Sequence, residues 1–321
     1  MNGIVSGLQN VTCGVPQGSL LGPLLFILCI NDFQYSSDVL SFILFADDSS
    51  IFFSHNNSQT LLETVNLELS NISAWIYANK LSLNLKKTNY MLFSNSLNML
   101  PGDVSFNGVL IDRVTSTKFL GLYIDERLNW KIHINNLCKL LSRNAGVIHK
   151  LKFVLPQEIL FILYSTLILP YINYGVLAWG KSLKTQLDKL FLVQKRIIRI
   201  ICNVNFRAHT NILFYEHRIL KLEDIYYMQL GSLMYDLNTG ALPLALAKIF
   251  KKNNQVHTYA TRHASAFHLP HARTKFTLNT LVCTGPRFWN SLDSSIAHAV
   301  SIFVFKRKLK LLFLSNYHVD S

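Results

Sequence analysis

Cysteine is scarce and badly spaced for chemistry. Cys13, Cys29, Cys138, Cys202 and Cys283 lie far apart and form no CxxC pair. That pattern excludes a zinc knuckle, and an odd, scattered set suits a reducing compartment better than a disulfide framework. Low-complexity linkers and internal repeats are missing as well. Acidic residues are few, and none precedes Asp32; Met1 to Asn31 carries no charge of either sign. With no basic segment at its start, and with Gly22-Pro23 interrupting Ser19 to Ile30, this stretch is expected to be a buried core helix and not a signal peptide.

A second uncharged stretch, Ile159 to Gly180, has 22 residues and passes a length test for a transmembrane helix. Pro170 sits in its middle, followed by Asn173 and Gly175, which argues against a membrane span. The expectation is therefore no membrane, and no secretion.

What is present is an uneven charge. Residues 1–100 hold three lysines (Lys80, Lys86, Lys87) against six acids, a net of −3, while the whole chain is +13, so the remainder carries +16. Charge of that size attracts phosphate backbones, besides keeping a protein soluble.

The densest chemical signal is Leu40 to Ser54, LSFILFADDSSIFFS. Two apolar, strand-like runs, Ser41 to Phe45 and Ile51 to Phe53, flank adjacent carboxylates at Asp47 and Asp48. A tight connection puts these acids at the tip of a β-hairpin, where Asn-Gly or Asp-Gly would be usual. A bound divalent cation is the simplest relief for two like charges there, Mg²⁺ being held by one or two carboxylates plus substrate phosphates. A solvated turn that contains two Asp is the alternative.

Around this hairpin stand Gly14-Val15-Pro16-Gln17-Gly18-Ser19, then Asn84-Leu85-Lys86-Lys87-Thr88, then Phe119-Leu120-Gly121-Leu122-Tyr123-Ile124-Asp125. In this order and spacing the chain resembles the reverse transcriptase of non-LTR retrotransposons of the LINE or jockey type. GVPQGS resembles motif B, FADD motif C, LNLKKT motif D and KFLGLYID motif E, the primer grip. Leu167 to Gly180 and Gly285 to Asn290 (GPRFWN) also look like the region after the polymerase in these elements.

The resemblance implies an α/β palm with an antiparallel sheet over residues 1–124, a helical thumb over 125–210 and a basic C-terminal region over 211–321. It implies RNA-directed DNA polymerase activity on an RNA template, a DNA primer or target and a dNTP, in the cytoplasm with a nuclear site of action. Asp47 and Asp48 would be catalytic metal ligands for Mg²⁺, and Lys87 would protonate or neutralise the leaving pyrophosphate. Two solvated turn lysines are the plainer account of Lys86 and Lys87. Pro16, Gln17, Gly18, Ser19, Phe45 and Ala46 would contact template and nucleotide, and Phe119, Leu120 and Gly121 would form the primer grip. The motif A aspartate, the fingers and the endonuclease of such elements have no counterpart here. The chain is thus expected to be the carboxy-terminal part of a polyprotein, cut before motif B and inactive alone. A non-catalytic nucleic-acid-binding remnant or domesticated protein is the second hypothesis.

The remaining patterns are structural. Thr60-Leu61-Leu62-Glu63 reads as a capping box opening a helix that ends near Asn79, with Leu62, Val65, Leu69, Ile72 and Ile76 at helical spacing. Leu81, Leu83 and Leu85 alternate as a half-buried strand, with a second strand near Asn89 to Phe93. Asp103 to Asp112 reads as a hairpin through Asn107-Gly108. Beyond residue 125 helices dominate, with Leu137, Leu140, Leu141, Val147, Ile148 and Leu151 on one face among Lys139, Arg143, Lys150 and Lys152. Lys189 to Arg199 repeats this basic amphipathic pattern, for which a membrane-surface helix competes. His257, His263, His268 and His271 lack zinc-site spacing. Trp289 reads as a core anchor, and Lys306-Arg307-Lys308 as part of a basic amphipathic helix.

Overall fold

The computed structural model describes residues 14–15, 18–94, 100–256 and 264–317. The chain divides into two compact units, residues 1–117 and 118–321. The fold is mixed α/β, with small two-stranded sheets followed by helices.

In the first unit, helix α1 (Gly22–Ile30) starts with Pro23 in its first turn, where a missing N–H costs nothing. It passes into a 3-10 segment, Asn31–Ser36. Hairpin β1 (Ser41–Phe45) and β2 (Asp48–Phe52) is antiparallel. Helix α2 (Ser58–Ala78) follows, its Asn57 side chain accepting from the backbone N–H of Gln59 and Thr60 at 2.8 and 3.1 Å. The expected capping box at Thr60 is not what opens the helix; Asn57 is a good cap three residues earlier and leaves Thr60 inside the first turn.

The expected strand at Leu81, Leu83 and Leu85 is also absent: residues 81–84 make no ladder and 85–87 form a turn. Alternation alone cannot supply a partner strand. Only β3 (Asn89–Tyr90) forms in the second expected strand. The Asn107-Gly108 hairpin is present as β4 (Ser105–Phe106) and β5 (Val109–Leu110), with φ of 52° and 76° at the two turn residues, as a type I′ turn requires. Strand β6 (Asp112–Arg113) pairs parallel with β3, so this unit is not purely antiparallel.

The core of this unit gathers Phe33, Leu40, Leu62, Ile72, Val104, Phe106 and Ile111 around α2. Helix α1 has no part in it beyond Ile30. Only Gly22 of α1 is buried, and Leu20 just before it is 98% exposed, so the expectation of a buried core helix fails. A helix apolar on every side needs cover all round. The described core is centred on α2 and offers it no such seat.

The second unit begins at Lys118, within hairpin β7 (Ser116–Phe119) and β8 (Leu122–Asp125), and continues into α3 (Lys131–Leu151). The long uncharged stretch does not form one helix. It breaks into α4 (Gln157–Leu167), α5 (Leu169–Asn173) and α6 (Val176–Trp179), with Pro170 in the first turn of α5. Leu160, Tyr164, Ile168, Ile172, Val176 and Trp179 from it are core residues. Among the described residues no helix is long and apolar enough to cross a membrane.

Helix α7 (Lys184–Ile201) packs along α3, burying Leu190, Gln194, Ile197 and Ile198. Its apolar face is thereby used, which removes the basis for a membrane-surface helix. Gln194 is fully buried and fully employed: its amide donates to Tyr164 Oη and to the Leu220 carbonyl, both at 2.9 Å, and accepts from Leu222 N at 3.0 Å. A buried amide satisfied this way pins three segments in one register.

Helices α8 (Asn211–Glu216), α9 (Leu222–Thr239), α10 (Leu244–Ala247), α11 (Asn253–Val256), α12 (Lys275–Leu278), α13 (Leu281–Asn290), α14 (Ser294–Ala297) and α15 (Ile302–Ser315) complete the unit. Trp289 is a core residue as expected, stacked on Phe305 at 5.8 Å. Gly285 is needed because a Cβ there would lie 2.8 Å from Met234 Sδ. Lys306, Arg307 and Lys308 stand on the exposed face of α15.

Candidate functional site

The β1–β2 register decides where the two acids stand. Phe45 pairs with Asp48, so the loop is Ala46-Asp47 alone: Asp47 sits in the turn and Asp48 is the first residue of β2. Paired residues share a face. Phe42 and Leu44 pack against the core, and Asp48 therefore lies on the opposite, open face with Phe45 and Ile43. Ala46 has φ 52°, in the left-handed region where a Cβ costs about 1 kcal/mol. A two-residue hairpin turn requires positive φ at this position, so the unusual feature is Ala where Gly, Asn or Asp is the common choice, and strain of this kind concentrates at functional sites.

Both acids are exposed, and Phe45 is 62% exposed. Their hard carboxylate oxygens fit the donor preference of Mg²⁺, which keeps several waters and adds substrate phosphates. Two neighbouring acids fit one such ion and not an enclosed pair of ions. Among the described residues no group of three or more His, Cys, Asp or Glu converges on one point.

The loop before α1 behaves as its glycines require. Gly14 and Gly18 have φ of 80° and 86°. Pro16 and Gln17 lie outside the described residues. The Ser19 hydroxyl accepts from Gly22 N at 3.0 Å and so helps open α1, a structural duty beside any contact with a ligand. Lys87 is exposed in a turn closed by its N–H to the Asn84 carbonyl at 3.0 Å, with Thr88 Oγ1 donating to the same oxygen. No ion pair joins it to Asp47 or Asp48 among the described residues.

Phe119, Leu120 and Gly121 come together at the β7–β8 turn, with φ of 44° at Leu120 and 87° at Gly121. This turn is held from outside. Tyr174 donates its hydroxyl to the Leu120 carbonyl, and its ring lies so close to Gly121 that a Cβ there would be 3.2 Å away. Gly175, at φ 60°, brings the backbone onto Leu122, and buried Trp179 donates to the Tyr174 carbonyl at 3.0 Å. After β8, the buried Asp125 carboxylate accepts from the N–H of Arg127, Asn129 and Trp130 and shapes the entry to α3. Sequence reasoning did not single out Tyr174, Gly175 or Asp125 for this task. The signal available was Tyr174-Gly175 itself, inside a stretch already noted for its likeness to the post-polymerase region.

Along α3 the exposed face carries Lys139, Arg143 and Lys150, and no acid occurs between Lys131 and Gln157. Leu137, Leu141 and Ile148 are buried opposite them; Val147, expected inward, faces solvent.

Residues 1–124 match the family described as reverse transcriptase (RNA-dependent DNA polymerase). The match covers the first 124 residues, and the chain is also similar to RNA-directed DNA polymerases of mobile elements. It is 24% identical over 236 residues to "RNA-directed DNA polymerase from mobile element jockey" of Drosophila melanogaster, covering 70% of this chain and 25% of the relative. It is also 24% identical over 233 residues to "Probable RNA-directed DNA polymerase from transposon X-element" of the same species, covering 69% and 25%. A type-1 element R1 polyprotein of Bradysia coprophila is 25% identical over 203 residues, 61% of this chain and 20% of that one. The chain thus spans about a quarter of the length of the curated relatives it matches. No solved structure matches.

Proposed function

We propose that this chain forms part of an RNA-directed DNA polymerase, a nucleotidyltransferase that copies an RNA template by extending a DNA primer with dNTPs. The observation that carries the proposal is the β1–β2 register, with Asp47 in a strained turn and Asp48 on the open face beside Phe45. Residues 1–124 would be palm, 125–210 thumb, and 211–321 a basic C-terminal region.

In this reading Asp47 and Asp48 would hold Mg²⁺ through their carboxylate oxygens. When bound, the ion supplies charge neutralisation at the reacting phosphate. Lys87 faces solvent in the turn after α2, and its role is to neutralise or protonate the pyrophosphate as it leaves. The loop Pro16-Gln17-Gly18-Ser19, with Ala46 and Phe45, contacts template base and nucleotide; Gly14 and Gly18 give that loop a close backbone approach. Phe119, Leu120 and Gly121 support the primer end. The lysines and arginine of α3 lie along the duplex backbone.

A third carboxylate from another segment completes the metal site. Two adjacent acids offer a metal site fewer ligands than three would, and one ligand fewer raises the barrier by several kcal/mol, each 1.4 kcal/mol being about tenfold in rate. Purified residues 1–321 are therefore expected to extend no primer with Mg²⁺ or Mn²⁺. Joined to the preceding segment of a full-length relative, the chain should extend one, and Asp47→Ala should abolish that extension. Extension that survives Asp47→Ala sinks the assignment.

The second reading, a non-catalytic nucleic-acid-binding protein, is favoured by the acid-free basic face of α3. That face would hold phosphates with or without catalysis. A joined chain that binds primer–template but never extends it would support this reading.

A further inference from the structure

We propose that the end of the second unit where α3, α4 and α7 meet is a binding site for one unpaired base of a single nucleic-acid strand, apart from hairpin 119–121. The proposal rests on the reading of this unit as nucleic-acid-binding.

Helix α3 has 21 residues and so is about 30 Å long. The β7–β8 hairpin lies at its start, and a second feature lies past its end. There the turn 152–154 leaves Phe153 76% exposed, and the loop after α7 leaves Phe206 74% exposed. Single exposed apolar residues need no explanation, but an exposed aromatic ring on each of two adjoining loops does. The loops adjoin because Lys152 Nζ donates to Asn203 Oδ1 at 3.1 Å. Each ring also carries a cation, Lys152 at 5.1 Å from the Phe153 centroid and Arg207 at 5.2 Å from that of Phe206. A ring with an adjacent cation is the arrangement on which a base stacks while its phosphate is neutralised.

Between these loops lies a cavity of about 210 Å³. Phe153, Leu155 and Leu160 give it apolar walls, while Lys152, Gln157 and Asn203 bring polar groups to it. Apolar walls with two amides are what an unstacked base needs, since its faces stack and its edge forms hydrogen bonds. The volume is below that of sites for drug-sized ligands and suits a single planar ring. Cys202 also lines the cavity; burial pushes its thiol up to about 11 against the opposing hydrogen bond from Gln157, so it brings no negative charge.

Charge favours a polyanion over a protein segment. Lys152 lines the cavity, Arg207 stands over the Phe206 ring of the adjoining loop, and Arg199 fixes that loop by donating to the Ala208 carbonyl at 2.9 Å. Glu158 and Glu216 are the acids at this end. The exposed basic face of α3 leads to it, so a backbone can run from the hairpin end to the aromatic end.

The test uses the whole 321-residue chain with three fluorescent probes: a short oligo-uridine, a short oligo-deoxythymidine, and an RNA–DNA hybrid duplex. Phe153→Ala with Phe206→Ala, and separately Phe153→Leu, remove the π-face. Single-strand affinity should fall tenfold or more in the double variant. Duplex affinity should stay within about twofold, since phosphate contacts carry it. Because both rings are exposed, unfolding curves should match wild type. Crosslinking of 5-iodouracil oligonucleotides to the wild-type chain gives a second readout, with adducts expected at Phe153 or Phe206. Unchanged single-strand affinity in the variants, or adducts only elsewhere, overturns the proposal while leaving the duplex reading intact. A wild type that binds none of the three probes brings down the nucleic-acid reading and this inference together.

Discussion

Gly175→Ala tests how the β7–β8 hairpin is held. The substitution adds one carbon at a residue with φ 60°, where a Cβ costs roughly 1–2 kcal/mol. That carbon would also lie 2.7 Å from Leu122 Cδ1, a distance that real contacts do not reach, and 3.0 Å from Cδ2, tighter than nearly all of them. Leu122 packs against the main core of the second unit, so it cannot simply swing away. Overpacking of this kind costs about 1–3 kcal/mol. The expected loss is about 3 kcal/mol, or a fall in melting temperature of roughly 6–12 °C for a unit of this size. Gly240→Ala is the control. Gly240 has φ 76° and ends α9, but a Cβ there would meet nothing within 4 Å, so only the backbone strain of about 1–2 kcal/mol applies. Denaturant unfolding of both variants separates the two contributions. Equal losses would refute the claim that the 174–175 segment presses on the hairpin, and with it the support of Leu120 by Tyr174.

Two further expectations follow from charge and burial. Binding of an RNA–DNA duplex by the whole chain should weaken with salt, and if Lys131, Lys139, Arg143 and Lys150 meet four phosphates, affinity should fall on the order of 10²-fold between 50 and 200 mM salt; Lys139→Gln with Arg143→Gln should flatten that slope, and a slope identical to wild type would show that α3 does not touch the backbone. Burial holds His133 below its ordinary value of 6.5. The unfolded chain therefore binds a proton that the folded one refuses, and stability should fall as pH drops from about 7 to about 5. His133→Gln should reduce that slope, measured by denaturant midpoints across the range, and an unaltered slope would mean that other groups dominate.

Local signals were legible wherever the physics was local. Asn107-Gly108 names its own turn because both residues must take positive φ, and the runs around Asp47 and Asp48 name a hairpin because their alternation needs no distant partner. Pro170 divides the uncharged stretch for the same reason, and the spacing from Leu62 to Ile76 suffices for α2. Even the family likeness is carried by short, ordered motifs. Beyond these, local preference left a choice that packing made. Asn57 and Thr60 can each cap a helix, and the choice fell three residues earlier than the capping box suggests. Leu81, Leu83 and Leu85 have a strand's alternation but found no ladder. Helix α1 is apolar enough for a core, yet the described core formed around α2. The contact of Tyr174 with Leu120 spans 54 residues, and that of Lys152 with Asn203 spans 51. Hydrophobic period and turn chemistry act over a few residues, so they set elements; which side chains meet across fifty residues depends on how those elements pack, and only the tertiary structure decides that.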